Sequence, residues 1–388
     1  MSAEHLFASE SVTPGHPDKL CDAIADAVVE AALRQDPATT AEVECAIASG
    51  IVFLAARLAG HVSVDMPAIA REVLAEAGYA EAQAPGDFDA RRCSILTSLT
   101  ALPALPAAAG ERAADEHVNA FGYACDETPS LLPMPIALAH RVARAFDGAR
   151  RQGLLGAVSP DAKVQVAVRY RGGRPLEVAA VTVICGGAEA ALAALPGRLA
   201  EAVLQPAFTG AALPLLPATP VLVNPGGVRR DGGPASHPGL TGRKPGIDTY
   251  GEYSRQPQAA LSGKDPASID RLGAYAARWA ARNIVAAGLA RHCEVHLCYA
   301  PGRAEPVSLR VHAYGTGVLP DADLAARLRA AADFRPGPLL RRFRIAERLA
   351  AAPPGGFLRP LAAFGHVGRE ELALPWEEED LVPALRRA

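Results

Sequence analysis

At 388 residues the chain is too long for one ordinary core, so two or three domains are expected. Half of the residues are hydrophobic and 21% are charged, which excludes a disordered chain, and a net charge of -3 excludes general attraction to nucleic acid or an anionic membrane. Seven scattered cysteines without a Cys-x-x-Cys pair argue against a disulfide framework and suit a reducing cytoplasm. Residues 1–12 lack a basic region followed by an apolar run, and no later segment has the ~18 uninterrupted apolar residues of a membrane helix. A cytoplasmic protein without a membrane or nucleic-acid partner is expected, and any phosphate binding must be local.

The first motif is Gly15-His16-Pro17-Asp18-Lys19, followed by an amphipathic helical pattern that ends before Pro37. Pro17 suits a first helical turn and Asp18 complements the helix dipole there. Leu20, Ile24 and Val28 share one face, and His16 lies just ahead of the N-terminus, a good place to meet phosphate oxygens. Residues 43–58 read as a hairpin around Ser49-Gly50 that 62–64 continues, and 65–78 as a second helix. Residues 99–110, rich in Ala, Pro and Leu, read as a linker that is neither a regular helix nor a central strand. Pro133 and Pro135 open another helix, in which His140 reads as a packing or helix-surface histidine rather than a ligand. Residues 161–166 and 176–184 read as paired strands joined by a turn over 171–174, with Lys163 facing solvent by default. His292 and His296 share a face of a strand over 293–299 but stand roughly 13 Å apart, too far to share a metal. A strand over 307–314 and a helix over 321–331 follow.

Residues 239–288 organise the rest. They read GLTGRK, DTYG, SGKDP and Asp270-Arg271, then a long helical pattern ending NIVAAG. Arg243, Lys244 and Lys264 supply three loop cations, and Asp265 and Asp270 two carboxylates, as a polyphosphate with its metal would require.

These motifs, with GHPDK, the DAKVQV strand start, Asn224-Pro225-Gly226-Gly227 and the closing Gly365-His366 and Pro375-Trp376 patterns, resemble the S-adenosylmethionine synthetase family over essentially the whole chain. The resemblance implies an α+β fold of three similar domains, each a β-sheet with helices on one face, divided here as 1–100, 113–228 and 229–388. It implies a homodimer, or a tetramer, with active sites at the interface, and Mg2+ (two ions) and K+ as cofactors. The family's reaction is attack of the methionine sulfur on C5′ of ATP with release of triphosphate, which is then cleaved to pyrophosphate and phosphate. By the same resemblance His16, Lys163, Arg243, Lys244 and Lys264 act on the leaving chain. Asp161, Lys163 and Arg229 join the loop cations around the nucleotide, Asp18 and Asp270 carry magnesium, and Glu44 lies near the monovalent cation. Asp115 or Glu116 stands in for a substrate-facing carboxylate.

The chain also departs from the family. Ser268 replaces a lysine, which predicts weaker triphosphate binding or slower triphosphate hydrolysis. Arg57 replaces a glutamate that meets the methionine ammonium, His237 an aspartate, and Arg229 an aromatic that stacks on adenine. The short apolar 99–110 segment stands where the family has a longer gating loop. Three readings follow: a synthetase with unusual contacts, a relative using another acceptor or nucleoside triphosphate, and a non-catalytic nucleotide-binding homologue. The retained cations and aspartates argue against the third, while Arg57, His237 and Arg229 favour the second.

Overall fold

A computed structural model describes residues 4–81, 87–103, 112–256, 259–353 and 355–387. In chain order the elements are β1 (Glu4–Val12), α1 (Pro17–Gln35), β2 (Ala41–Ala48), β3 (Ile51–Ala59), α2 (Met66–Leu74), β4 (Ser94–Leu102), β5 (Val118–Cys125) and α3 (Met134–Arg151). There follow β6 (Val158–Arg171), β7 (Arg174–Gly187), α4 (Glu189–Leu199), α5 (Gln205–Phe208), β8 (Val221–Val223), β9 (Gly239–Leu240), α6 (Pro245–Asp248) and α7 (Ile269–Ala286). Last come β10 (His292–Tyr299), β11 (Ser308–His312) and α8 (Asp321–Ala331), then short helices to the C-terminus.

The strands form three sheets, ordered β1-β6-β7-β8, β4-β3-β2-β9 and β11-β10-β5. Each is covered on one face: the first by α3 and α4, the second by α1 and α2, the third by α7 and α8. Three sheets, each with helices on one face, are the α+β architecture expected. Each sheet draws a strand from a distant part of the sequence. β1 pairs with β6, β5 with β10, and β9 with β2.

Local chemistry accounts for several elements. Period-two burial along β2 turns Val43, Cys45 and Ile47 inward and Glu42 and Glu44 outward. Gly172 and Gly173 both have positive φ, which closes the β6–β7 hairpin where the sequence puts its turn.

Three expectations are corrected. Residues 62–64 lie beyond the end of β3 at Ala59. Residues 99–102 belong to β4, which runs parallel to β3 at the sheet edge, where a strand needs only one ladder and weak β-formers suffice. The rest of the expected linker, 104–110, lies outside the described residues. Nor does α1 have a solvent face over most of its length: Asp22 and Asp26 are fully buried beside the apolar side, and Lys19 nearly so. Polar residues sit there because loops from the other end of the chain fold over them.

Among the described residues no helix is long and apolar enough to cross a membrane. All seven cysteines are free thiols, six of them buried.

Candidate active site

The buried polar side of α1 holds the site loops. Asp18, Asp22, Asp26 and Glu30 recur every fourth residue, which stacks them along one face. Each accepts backbone N–H groups from a loop. Asp18 takes Leu240 at 3.1 Å, Asp22 takes Gly242 at 2.7 Å, Asp26 takes Gly263 at 2.9 Å, and Glu30 takes Phe357 at 2.7 Å. The loop bearing Arg243-Lys244 and the loop bearing Lys264 are thus pinned at successive turns of one helix. Two glycines allow the approach. A Cβ on Gly239 would lie 2.2 Å from the Pro17 carbonyl carbon, and one on Gly263, whose φ is +80°, 2.1 Å from the Val43 oxygen. Arg271, fully buried, donates to Asp26 at 2.8 Å and to the Lys264 carbonyl at 2.6 Å, so the second loop is held from both sides.

His16 caps α1. Its Nδ1 accepts the Asp18 N–H at 3.2 Å, which leaves the proton of the neutral ring on Nε2. Burial, with Lys163, His237 and Lys244 nearby, pushes its pKa down to about 3 against the opposing pull of Asp161, so the ring is neutral at physiological pH. That Nε2 is buried and has no hydrogen-bond partner among the described residues. The His237 ring lies 5.0 Å away, and its Nε2 meets Asp161 Oδ2 at 2.8 Å. Burial alone would raise the Asp161 pKa, but the His237 hydrogen bond, the nearby His16 and the Gly233 N–H hold it below the usual range. Asp161 Oδ1 is likewise buried and unpartnered.

The other sequence-derived residues divide between this cluster and a second one. Lys163, half-buried on β6, makes no ion pair among the described residues, and Arg243 is exposed in its loop. Lys244 pairs with Glu10 of β1 at 2.6 Å. In the second cluster Lys264 forms a close ion pair with Asp270, which lies in the first turn of α7 rather than ahead of it. Asp115 accepts the Ile269 N–H at 3.3 Å, beside Asp270, while Glu116 is exposed. Ser268 caps α7 without a side-chain bond.

Glu44 is on the uncovered face of β2; partial desolvation raises its pKa against the pull of Lys264. Arg57 faces the same way from β3 and pairs with its cross-strand neighbour Glu42 at 3.3 Å. Arg229 is exposed beyond β8, its carbonyl accepting the Gly187 N–H.

Oxygen donors suit Mg2+, and each candidate aspartate has one oxygen engaged and one left over. Asp18 Oδ1 holds Leu240, and Asp270 Oδ2 holds Lys264. Asp18 and Asp270 would each offer Mg2+ one carboxylate oxygen. Sequence reasoning missed Glu10, Asp22, Asp26 and Arg271. The four-residue acid spacing was visible, but nothing in the sequence pointed to the loops that it receives.

Two cationic loops laid over an acid-bearing helix, beside a histidine locked as a neutral donor, define an α+β enzyme for a phosphate-bearing substrate. Three family descriptions match the chain: the S-adenosylmethionine synthetase N-terminal domain over residues 4–103, the central domain over 111–228 and the C-terminal domain over 231–378. An S-adenosylmethionine synthase of Synechococcus sp. (strain RCC307) is 40% identical, covering 98% of this chain and 99% of its own length. One from Prochlorococcus marinus (strain MIT 9313) is 41% identical over 97% and 94% of the two chains. The chain belongs to the S-adenosylmethionine synthetase family.

Proposed function

We propose that this chain transfers adenosyl from ATP to methionine, releasing triphosphate that the same site then splits. The observation that carries the reading is the His16 Nε2–H, fixed by the Asp18 N–H on the opposite nitrogen and left unpartnered in a buried place. A thioether needs no deprotonation, so the work of catalysis is to hold the sulfur in line and to stabilise charge on the departing oxygen. His16 donates to that oxygen, while Lys163, Arg243, Lys244 and Lys264 neutralise the phosphates. Mg2+ held by Asp18 and Asp270, when bound, neutralises phosphate oxygens further.

The substituted positions fit methionine better than the sequence suggests. Glu42 answers the Arg57 charge, and the free Oδ1 of Asp161 supplies an ionised carboxylate for an ammonium beside His237. Another acceptor is therefore not the favoured reading.

The His16 cluster and the Lys264–Asp270 cluster act together across a homodimer. What supports this is the uncovered face of the second sheet, where Ile51, Phe53, Leu96 and Leu240 stand exposed in adjoining rows with Glu44 and Arg57. Glu44 is the residue we assign to K+. The test is a mass-spectrometric assay with Mg2+, K+, ATP and methionine. S-adenosylmethionine, pyrophosphate and phosphate are expected, and His16→Ala should lower kcat by about 10²–10³ with little change in KM. Triphosphate turnover without S-adenosylmethionine would return the acceptor to question.

A further inference from the structure

A second cluster of coordinating groups lies outside this site. Cys125 ends β5, and its directly opposed neighbour in the β5–β10 ladder is His292, so the two side chains share a face of the sheet. Glu127 follows two residues after Cys125. One ligand atom from each of Cys125, Glu127 and His292 lies within 4.8 Å of the other two.

The surroundings hold each group in place. Glu127 is 7% exposed, and its Oε2 accepts the Met134 N–H at 2.9 Å and the Tyr170 hydroxyl at 2.8 Å. Its Oε1 is buried without a hydrogen-bond partner. A buried carboxylate oxygen so placed is costly unless something binds it. The Tyr123 hydroxyl engages His292 Nδ1 at 2.8 Å, the kind of contact that orients a coordinating imidazole through its other nitrogen. Cys125 is buried, free and unused by the mechanism above.

We propose that Cys125, Glu127 and His292 form a binding site for a borderline-soft divalent ion of the Zn2+ class, separate from the Mg2+ and K+ of the reaction. The donor set is one thiolate, one carboxylate and one imidazole, which suits Zn2+ or Co2+ and disfavours Mg2+. Coordination expels the thiol proton to solvent, and thiolate plus carboxylate then cancel the ion's two charges, as a buried site requires. The ion ties the end of β5 to β10 and, through Glu127, to the first turn of α3. Its role is that of a clamp between the third sheet and α3, the helix that covers the first sheet.

The test uses the full chain, stripped with a chelator and titrated with Co2+. A near-ultraviolet thiolate-to-cobalt band is expected, saturating at one ion per chain and displaced by Zn2+. The band separates this site from His16, Asp161 and His237, whose ligand atoms also lie within 4.8 Å of one another but include no sulfur. Cys125→Ser and His292→Asn should each abolish it, and His237→Asn should leave it intact. His292→Asn gives the same readout if Cys125→Ser does not fold, and Zn2+ should raise the Tm of the wild type but not of His292→Asn. Absence of a thiolate band in the folded wild type, or a band that survives either substitution, overturns the assignment.

Discussion

Removing the Asp26 carboxylate isolates what holds the Lys264 loop. Asp26 and Arg271 are both fully buried, 2.8 Å apart, and Asp26 also accepts the Gly263 N–H. Asp26→Ala strands a guanidinium without its counter-charge and leaves a buried N–H unpartnered, a combination that costs about 3–5 kcal/mol. At the specific unfolding entropy of globular proteins, a chain of this length should lose roughly 4–6 °C in Tm. Asp26→Asn combined with Arg271→Met removes both charges at closely matched volume, keeps an acceptor for the Gly263 N–H and should recover part of that loss. Differential scanning calorimetry at pH 7 measures both variants against the wild type. A shift below about 1 °C for Asp26→Ala, or a double variant as unstable as the single one, would refute the view that the pair holds the loop by mutual compensation.

Other expectations are equally direct. Gly263→Ala forces a Cβ toward the Val43 oxygen at a left-handed φ; it should cost about 1–3 kcal/mol and weaken triphosphate binding by displacing Lys264, read by calorimetry and by inhibition with tripolyphosphate. Ser268→Lys restores a cation at the start of α7 and should speed tripolyphosphate hydrolysis, measured as phosphate release; an unchanged rate denies the position a direct role. His140 is buried and neutral, its pKa pushed well below 6.5 by burial and then by Arg144, Arg369 and Lys19, while Nδ1 meets the Ser11 hydroxyl at 2.9 Å. Its folded-state pKa is depressed, so stability is fully present above about 6.5 and is lost as pH falls and only the unfolded chain takes up the proton. The stability gap between wild type and His140→Gln should therefore shrink by about 1.4 kcal/mol for each pH unit below 6.5, measured by urea unfolding.

Helices that announce themselves by caps and period were readable, and so was the β6–β7 hairpin, because Gly172-Gly173 specifies its own turn. β1 and β5 were not. Each is a short mixture of polar and apolar residues whose partner lies well over a hundred positions away, and its strand character comes from that partner. The site shows the same division. His16 before Pro17 and the paired cations of GLTGRK were visible, whereas the burial of Asp22 and Asp26 depends on loops more than two hundred residues further on. Arg57 illustrates the limit of reading one position alone. As a lone cation on a strand it argues against an ammonium substrate, but Glu42 across the ladder already answers it, and an Arg57→Glu reversal would set two carboxylates against each other.

The exchange of strands among the three sheets bears on how the chain can come into being. The first hundred residues emerge with β1 but without β6, and with β2 but without β9, so two edges stand open until residues 158–171 and 239–240 have been made. β5 waits longer still, for β10 at 292–299. None of the three sequence segments can close its own sheet, and a cut between them would leave exposed edges prone to aggregation. Assembly is therefore dominated by pairings of high sequence separation, and a slow, late-committing folding reaction follows from the topology itself.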